Sequence, residues 1–326
     1  MLIINQSITD PYFNIASEEF LLKNFSEDIF ILYSNTPSII VGKHQNTMAE
    51  INHNFVSQKG VPVIRRLSGG GTVYHDLGNV NYSFIINGSE GNLVDFKKHT
   101  KPIIDVLTSL GVDAHIGGKN DIRVGDKKIS GNAEHIYKNR VLHHGTLLFN
   151  SNLDELNESI KVNKNTYTDK AVKSIRSHVA NINEYLNDDI SIGKFKELLI
   201  DHVKMLFPNA VDYQLNQNDI TSINELISKK FVTWNWNYGY SPSYTLNRQI
   251  HFNKYTLDII VNVDKGLINQ VSIKGNHLEP KSVKELEQLL QGCIHETQEI
   301  SNRLKNIDIS QFIPEILNED FIKGLF

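Results

Sequence analysis

The sequence contains a single cysteine, Cys293, among 326 residues. One cysteine cannot form an internal disulfide framework or a cysteine-based zinc cluster within the chain, so a reducing compartment is expected. No apolar run approaches the roughly 20 residues needed to span a bilayer. The N-terminal stretch MLIINQSITDPYF also lacks the basic start, apolar stretch and small-residue cleavage site of a signal peptide. These absences predict a soluble, cytoplasmic protein without a membrane role.

A strong net charge is also missing, because 33 lysines and arginines are balanced by 37 aspartates and glutamates, which leaves a formal charge of −4. This balance argues against general affinity for nucleic acid, although a local basic patch can still bind an anionic ligand. Hydrophobic residues make up 40% of the chain and charged residues 21%, as in a globular protein. The length favours one large and one small domain.

The N-terminal part of the chain combines helix and strand signals at short spacing. Asp10-Pro11 is typical of a helix N-cap followed by proline at the first helical position, and Ile15 and Leu22 belong to an apolar side. Strand candidates follow at 29–33, 38–41, 61–65 and 81–86. They lie too close together for regular helical crossovers, so mixed or antiparallel pairing is predicted.

Further along the chain, a helix is predicted from Val94 to Leu110, with Pro102 as a kink or as a sign of a later start. The stretch from Asp121 to Asn150 predicts a run of hairpins, with turns at Gly125-Asp126 and Lys138-Asn139. Additional helix candidates lie at 153–160, 192–206 and 220–229.

The segment FVTWNWNYGYSPSY, which begins at Phe231, shifts the composition toward aromatics, glycine and proline and is interpreted as a domain junction. Beyond it, Asp264-Lys265-Gly266 predicts a hairpin turn, and 283–304 predicts one or two helices. We therefore predict a large domain over residues 1–240, which carries the polar motifs, and a small α+β domain over 245–326. The predicted fold class is α+β with mixed strand pairing.

The strongest local signal is RRLSGGGTVYHD, residues 65–76, in which two arginines precede three consecutive glycines. Glycines let backbone N–H groups approach an anion closely, and arginine adds a permanent charge with a planar donor fork. The motif therefore predicts a cradle for a phosphate or a carboxylate. It is neither a P-loop nor a dinucleotide fingerprint, because the Gly-Lys-Ser/Thr ending and the required glycine spacing are missing. A flexible surface turn with solvated arginines is an equally open alternative.

A second polar cluster is KKISGNA, residues 127–133, which follows GGKND at 117–121. In a regular strand Lys128 and Ser130 would share a face, and an inward-pointing Lys128 would need an anion. The alternative is that Lys127 and Lys128 are ordinary charges on an exposed hairpin.

Three other polar segments have weaker functional signals. The adjacent His143 and His144 point to opposite faces of a strand and lack partners at metal-site spacing, so structural roles are favoured. His75-Asp76 could act as a general base pair, but a turn role beside the glycine motif is favoured. The basic stretch 161–178 could close over a nucleotide or be a solvated connector, and the sequence does not rank the two.

Taken together, RRLSGGGTVYHDLGN, the KND segment, KKISGNA, HHGTLLFN and SHVANI occur in the order and spacing found in lipoate-protein ligases, and the chain resembles that family from end to end. The resemblance implies a catalytic domain of the kind shared with biotin ligases, a mixed β-sheet with flanking helices, and an accessory C-terminal domain. It also implies that certain positions contact the acyl adenylate or its magnesium: Arg66, Gly71, Thr72, Val73, Tyr74, Asn120, Asp121, Lys128 and Ala133. Among these, Lys128 is the expected catalytic residue and Asp121 the expected Mg²⁺ ligand.

The reaction implied by the resemblance has two steps. Lipoate, or octanoate, is activated by ATP to an acyl adenylate with release of pyrophosphate, and the acyl group is then transferred to a lysine of a carrier domain. ATP with Mg²⁺ is the expected cofactor, and fixed positive charge from Arg66, Lys128 and Mg²⁺ would stabilise the approach of two anions. The expected partners are lipoyl domains of 2-oxoacid dehydrogenase complexes or the glycine-cleavage carrier protein, and the expected oligomeric state is a monomer.

Three alternative functions remain open. A cysteine-dependent lipoyl or octanoyl transferase of the same fold would pass the acyl group through a thioester, but Cys293 lies far in sequence from every motif. A biotin ligase is expected to carry a different arginine and glycine motif. A non-enzymatic module that binds lipoyl carriers would not consume ATP. Lipoate-dependent exchange between ATP and pyrophosphate would separate these alternatives.

Overall fold

The computed structural model describes residues 1–88, 94–118, 120–160, 166–252, 255–276 and 278–326. Cα proximity divides the chain into two compact units. Unit 1 consists of Met1–Lys43, Phe55–Ile160 and Ser174–Thr233, and unit 2 consists of His44–Asn54, Lys161–Lys173 and Trp234–Phe326. Two short segments that precede residue 234, His44–Asn54 and Lys161–Lys173, are therefore grouped with the C-terminal part of the chain. The predicted functional division into 1–240 and 245–326 stays a prediction.

The described residues contain fifteen strands. They are β1 (Leu2–Asn5), β2 (Ile29–Tyr33), β3 (Ser38–Val41), β4 (Val63–Arg65), β5 (Val73–His75), β6 (Asn79–Asn87), β7 (Ala114–Gly117), β8 (Asp121–Val124), β9 (Lys127–Tyr137), β10 (Arg140–Leu148), β11 (Tyr167–Asp169), β12 (Val211–Asp212), β13 (Tyr244–Phe252), β14 (Tyr255–Asp264) and β15 (Leu267–Gly275).

The same residues contain ten α-helices, together with short 3₁₀ and π-helical turns. The α-helices are α1 (Pro11–Asn24), α2 (Thr47–Glu50), α3 (His53–Lys59), α4 (Phe96–Ser109), α5 (Leu153–Ser159), α6 (Ile192–Leu206), α7 (Gln217–Leu226), α8 (Pro280–Leu290), α9 (Thr297–Leu304) and α10 (Asn318–Gly324). Within the described part of the chain, no helix is both long enough and apolar enough to cross a bilayer.

Unit 1 is organised around an eight-stranded sheet in the order β12-β1-β2-β6-β10-β9-β8-β7. β1 runs parallel to β2 and β12, whereas β2, β6, β10, β9, β8 and β7 pair antiparallel in that order. A second, three-stranded sheet in the order β4-β3-β5 also mixes parallel and antiparallel pairs. The predicted mixed pairing and α+β fold class are confirmed.

Two hairpins of the eight-stranded sheet, β8–β9 and β9–β10, form where turn residues predicted them. The β8–β9 turn contains Gly125 with a φ of 57°, and the β9–β10 turn contains Lys138 with a φ of 54°. These positive φ values lie in the left-handed region that tight turns require. Both turns join β-strands that pair antiparallel, so the predicted run of hairpins is confirmed.

Helices cover both faces of the eight-stranded sheet. On one face, α4 and α6 pack against strand residues in a continuous apolar cluster that includes Phe84, Ile103 and Leu199. On the opposite face α1 begins at the predicted N-cap, where Oδ1 of Asp10 accepts a hydrogen bond from the backbone N–H of Tyr12 at 2.8 Å. The α1 face is the one on which the predicted polar motifs meet, and it is called the site face below.

Unit 2 contains the antiparallel sheet β11-β13-β14-β15 and the helices α8, α9 and α10. Lys265 and Gly266 form the β14–β15 turn with φ values of 48° and 77°, so the predicted hairpin is confirmed. The helical signal at 283–304 corresponds to two helices, α8 and α9, which pack on the sheet in a separate apolar core.

Candidate active site

Arg66 braces the glycine loop, residues 68–72, from inside unit 1, and it is only 6% exposed. Its Nε donates to Oγ of Ser68 at 2.9 Å, Nη1 to the carbonyl of Ile40 at 3.1 Å, and Nη2 to the carbonyls of Gly69 and Gly71 at 2.6 and 2.8 Å. Burial lowers the pKa of Arg66 to about 10, so the guanidinium remains charged near neutral pH. Since the arginine satisfies loop carbonyls, the loop is suited to offer backbone N–H groups to an anion.

Gly70 allows the loop to lie directly on the arginine. Its φ of 87° is in the left-handed region that favours glycine, and a β-carbon there would lie 3.0 Å from Nη2 of Arg66. The same β-carbon would lie 3.9 Å from Cβ of Ala133 on β9. The structure therefore brings together three features from separate sequence motifs: Arg66, the glycine loop and Ala133.

Ser174 contacts the other end of the glycine loop, although no sequence motif singled it out. The backbone N–H of Thr72 donates to Oγ of Ser174 at 2.9 Å, and a β-carbon on Gly71 would lie 3.1 Å from the same oxygen. The Thr72 N–H is therefore placed to bond an oxygen acceptor, and Gly71 leaves room for that acceptor. A phosphate oxygen could take the position that the serine oxygen holds.

Lys128 reaches the site face because of a β-bulge. Asp121 pairs with Gly131 and Ile122 with Ser130, but Arg123 pairs with Lys128, so the register shifts by one residue. Ile129 and Ser130 are both fully buried. The expectation that Lys128 and Ser130 share a face is therefore wrong, because the extra residue breaks the alternation. The bulge turns Lys128 to the face of Gly131 instead.

The side chain of Lys128 lies along β9 and is held at both ends. Its Nζ contacts Oδ1 of Asp121 at 2.8 Å, and a β-carbon on Gly131 would lie 3.1 Å from the same nitrogen. Its backbone N–H donates to the carbonyl of His178 at 2.8 Å, and its carbonyl accepts from the N–H of Ala180 at 3.1 Å. The SHVANI segment thus fixes the lysine that KKISGNA provides, whereas neighbouring Lys127 is exposed.

Asn120 and Asn132 hydrogen-bond to each other and stabilise β9, the strand next to the glycine loop. The backbone N–H of Asn132 donates to the carbonyl of Asn120 at 2.9 Å, and Nδ2 of Asn120 donates to the carbonyl of Asn132. Oδ1 of Asn132 accepts from the hydroxyl of Tyr82, and a β-carbon on Gly145 would collide with that oxygen. Asn120 therefore supports β9, and its predicted contact with a nucleotide stays a prediction.

Asp121 has both carboxylate oxygens paired with cations. Oδ2 contacts Nη2 of Arg123 at 3.0 Å, and Oδ1 contacts Lys128. Among the described residues, no three His, Cys, Asp or Glu side chains are grouped so as to hold a metal ion. A carboxylate neutralised by two cations does not suit Mg²⁺ unless ATP phosphates supply other ligands. The Mg²⁺ prediction for Asp121 stays a prediction, and no step proposed below depends on it.

Val73 and Tyr74 belong to the three-stranded sheet. Val73 is half-buried, while Tyr74 is 1% exposed and donates its hydroxyl to Oε2 of Glu155 at 2.6 Å. Burial, followed by the contact with Glu155, raises the pKa of Tyr74 well above its ordinary value. Their predicted contacts with the adenylate stay predictions, and in this arrangement the Tyr74 hydroxyl serves the packing of α5.

His75 and Asp76 act separately. Burial lowers the pKa of His75 to about 3, which makes its ring too weakly basic for general base catalysis near neutral pH. Oδ1 of Asp76 accepts from the N–H of Gly78 at 2.9 Å, and Oδ2 accepts from the N–H of Asn152 at 2.7 Å. Asp76 thus has the turn role that the sequence favoured.

The basic stretch 161–178 is described only from residue 166 onward, so Lys161 and Lys164 lie outside the described residues. In unit 2, Nζ of Lys173 contacts Oδ1 of Asp169 at 2.6 Å, and β11 pairs antiparallel with β13. In unit 1, Ser174 meets the glycine loop as described above. The stretch is therefore partly built into both units rather than being a solvated connector along its whole length.

The α+β fold and a site in which a braced glycine loop and a lysine share one face of β9 suit a ligase that handles anionic groups. The sequence matches the lipoyl protein ligase A/B catalytic domain over residues 10–204 and the bacterial lipoate protein ligase C-terminus over residues 241–325. The chain belongs to the lipoate-protein ligase family, as its motifs indicated.

Curated relatives span the whole chain. Lipoate–protein ligase 1 of Staphylococcus aureus is 42% identical, and the alignment covers 98% of each chain. Lipoate-protein ligase LplJ of Bacillus subtilis is 40% identical, and the alignment covers 100% of each chain. The protein is therefore an enzyme of the ligase class.

Solved structures share the fold. LipL1 of P. falciparum in complex with lipoate has a TM-score of 0.64 at 26% identity and covers 99% of this chain and 97% of its own. A lipoate-protein ligase A bound with ATP has a TM-score of 0.63 at 26% identity and covers 73% of this chain and 98% of its own. A bi-partite lipoate protein ligase from Thermoplasma acidophilum, described with its E2 lipoyl domain, has a TM-score of 0.63 at 26% identity and covers 73% and 96%.

Proposed function

We propose that this protein activates lipoate with ATP and then transfers the lipoyl group to a lysine of a lipoyl carrier domain. The observation that carries the proposal is the placement of the braced glycine loop, Ala133 and Lys128 along one face of β9. Relatives named as lipoate-protein ligases support the enzyme class. Solved relatives with lipoate and with ATP support the two small substrates.

In the first step, a carboxylate oxygen of lipoate attacks the α-phosphorus of ATP, the bond from that phosphorus to the bridging oxygen breaks, and pyrophosphate leaves. Two anionic groups approach each other, so fixed positive charge and oriented N–H dipoles lower the barrier. Lys128 supplies the charge: an ammonium group has three N–H donors, and Asp121 accepts from one side. The backbone N–H of Thr72, which donates to Oγ of Ser174 in this structure, supplies an oriented dipole.

In the second step, the neutral amine of a carrier lysine attacks the acyl carbonyl, the bond to the phosphate oxygen breaks, AMP leaves, and the proton lost by the amine passes to water. The mixed anhydride already carries a good leaving group, so positioning can provide most of the acceleration. No protein nucleophile is needed. Lys128 would stabilise the charge that returns to the phosphate as AMP leaves.

Lipoyl domains of 2-oxoacid dehydrogenase complexes, or the glycine-cleavage carrier protein, are the proposed acceptors. A solved relative described with its E2 lipoyl domain supports this class of partner. Octanoate remains a proposed alternative to lipoate, ATP would be delivered with Mg²⁺, and a monomeric, cytoplasmic protein is the proposed physical state.

The proposal is tested by exchange of labelled pyrophosphate into ATP with the full-length protein. Exchange that requires lipoate, followed by mass addition to a purified lipoyl domain, is the expected result. The same exchange assay with octanoate in place of lipoate shows which of the two acids is the better substrate. Acyl transfer without any exchange would establish the transferase alternative, and carrier binding without either activity would establish a binding module.

Cys293→Ser is expected to keep ligase activity within about twofold, because Cys293 is 5% exposed in the core of unit 2 and its thiol donates to the carbonyl of Leu289 at 3.6 Å. A buried cysteine without an activating base is not a nucleophile. The measurement is the full two-step assay on a lipoyl domain. An acyl thioester on Cys293 that turns over at the rate of the reaction would contradict the adenylate mechanism.

Lipoate and ATP together are expected to slow amide hydrogen exchange about tenfold or more at residues 69–72 and 166–176. The physical reason is that the glycine loop gains a phosphate as acceptor and the segment that holds Ser174 packs against the product. Exchange in the β14–β15 hairpin is the internal control and should not change. Unaltered protection of both segments would show that ligands do not order them.

A further inference from the structure

A buried chain of hydrogen bonds connects helix α1 with the glycine loop. Oε2 of Glu18 contacts Nδ1 of His144 at 2.9 Å, and Nε2 of His144 contacts Oγ of Ser68 at 2.6 Å. The same Oγ accepts from Nε of Arg66 at 2.9 Å. None of these four side chains is more than 8% exposed, so water competes little with their contacts.

The charges at the two ends of this chain decide where its hydrogens lie. Arg66 can only donate, so Oγ of Ser68 accepts from it, and the second lone pair of that oxygen leaves the direction of the Ser68–His144 contact to be set by His144. At the other end Glu18 is an acceptor: burial alone would raise its pKa, but contacts with His144, Ser83 and Tyr33 outweigh burial and lower it. Nδ1 of His144 therefore carries a hydrogen and donates it to Glu18, and in the neutral ring Nε2 is left to accept the hydrogen of Ser68.

The chain also balances charge around the loop. A buried guanidinium is costly without a countercharge, and the charge of Glu18 opposes the effect of burial on the pKa of Arg66. Because Arg66 also binds the carbonyls of Gly69 and Gly71, anything that moves its Nε also moves the loop. Through Glu18, helix α1 therefore influences the position of the backbone N–H groups that would bind the phosphate.

The neighbouring histidine offers a matched comparison on the other face of the sheet. Nδ1 of His143 contacts Oε1 of Glu134 at 2.8 Å, and the two side chains are 0% and 4% exposed. His143 pairs with Glu134 and His144 with Ala133, so the two histidines point away from each other. His143 packs beside Phe96 and His99 of α4 rather than toward the glycine loop.

We propose that Glu18 and His144 are positioning residues of the adenylation step, acting through Ser68 on Arg66 and the glycine loop. This inference rests on the proposed lipoate activation, but its structural part does not. The donors run in one direction, from Arg66 through Ser68 and His144 to Glu18. This series of hydrogen bonds, called the relay below, holds Arg66 and the glycine loop in place before substrates bind. The loop therefore does not have to reorganise as the transition state forms.

Glu18→Gln reverses the relay with almost no change of shape. The carboxamide oxygen still accepts from Tyr33 and Ser83, but its NH₂ group faces Nδ1 of His144 and requires the hydrogen on Nε2. The serine oxygen then accepts from two donors, and its own hydrogen loses its acceptor. We expect the ¹⁵N spectrum of histidine-labelled protein to show His144 protonated on Nδ1 in the wild type and on Nε2 in Glu18→Gln, with His144→Gln giving the assignment.

The kinetic test is lipoate-dependent pyrophosphate exchange at saturating substrates, divided by the folded fraction from urea unfolding. Glu18→Gln and Ser68→Ala should each lower this rate about tenfold to hundredfold, as small displacements of catalytic groups do. The double variant should lose no more than the worse single variant, because both break one relay. His143→Gln and Glu134→Gln are the matched controls and should stay within about threefold.

The results separate the two proposals. A wild type without lipoate-dependent exchange refutes the proposed function, while the histidine spectra still test the relay. Wild-type exchange combined with equal losses in the Glu18 and Glu134 variants, or with multiplicative losses in the double variant, overturns the positioning role. A wild-type His144 that carries a hydrogen on Nε2 overturns the direction of the relay.

Discussion

Lys128→Ala is expected to slow lipoate-dependent pyrophosphate exchange by about hundredfold to thousandfold, about 3 to 4 kcal/mol of activation free energy. The bulge at Ile129 turns this lysine to the site face, where Gly131 lets the side chain lie along β9. The loss of one preorganised charge from a site of developing negative charge has effects of this size. Unfolding free energy should change by less than about 1 kcal/mol, because the Lys128 side chain is 25% exposed and Asp121 keeps Arg123 as partner.

Lys127→Ala is the matched control, since Lys127 is adjacent and exposed. Its exchange rate should change by well under tenfold. Transfer from presynthesised lipoyl adenylate to a lipoyl domain shows which step Lys128 serves. A fall in both assays means that the same charge supports both steps, and a fall in exchange alone confines it to activation. Equal activity of the two alanine variants in both assays would show that Lys128 is an ordinary surface charge.

Arg66→Lys is expected to lower the exchange rate of the folded protein at least hundredfold and its unfolding free energy by about 2 to 4 kcal/mol. Lysine keeps the charge but cannot reproduce four hydrogen bonds to Ser68, Ile40, Gly69 and Gly71 at once. Buried carbonyls would lose donors, and the loop would lose the brace that fixes its N–H groups. Urea unfolding and pyrophosphate exchange, measured on the same preparations, give the two quantities.

Arg140→Lys is the control that separates stability from activity. Arg140 is also 6% exposed, and its guanidinium donates to carbonyls in the last turn of helix α1 and just beyond it, those of Leu21, Leu22, Phe25 and Glu27. Its replacement should cost comparable stability but leave the exchange rate of the folded fraction within about threefold. If Arg66→Lys and Arg140→Lys lose stability and activity in the same proportion, Arg66 has a structural role only.

Local sequence signals were sufficient to predict a helix start or a turn where the residues that carry the signal also form the structure. The Asp10-Pro11 cap starts α1, and Lys265-Gly266 turns the β14–β15 hairpin, because side-chain caps and positive φ values are satisfied within a few residues. The predicted strand at 29–33 and the helix at 192–206 coincide with β2 and α6 for the same reason. β2 is apolar and buried along its whole length, whereas α6 buries the side that carries Phe195, Leu199 and Val203.

The sequence by itself determined the α+β class, the hairpins and the ordered motifs that identified the family. Which way polar side chains point was decided only by the tertiary structure. A single extra residue at Ile129 reversed the predicted relation between Lys128 and Ser130. Likewise, Arg66 faces inward because carbonyls of the glycine loop and the distant Glu18 satisfy it there. Alternation and charge are local properties, but strand register and the pairing of buried charges depend on contacts between segments far apart in the chain.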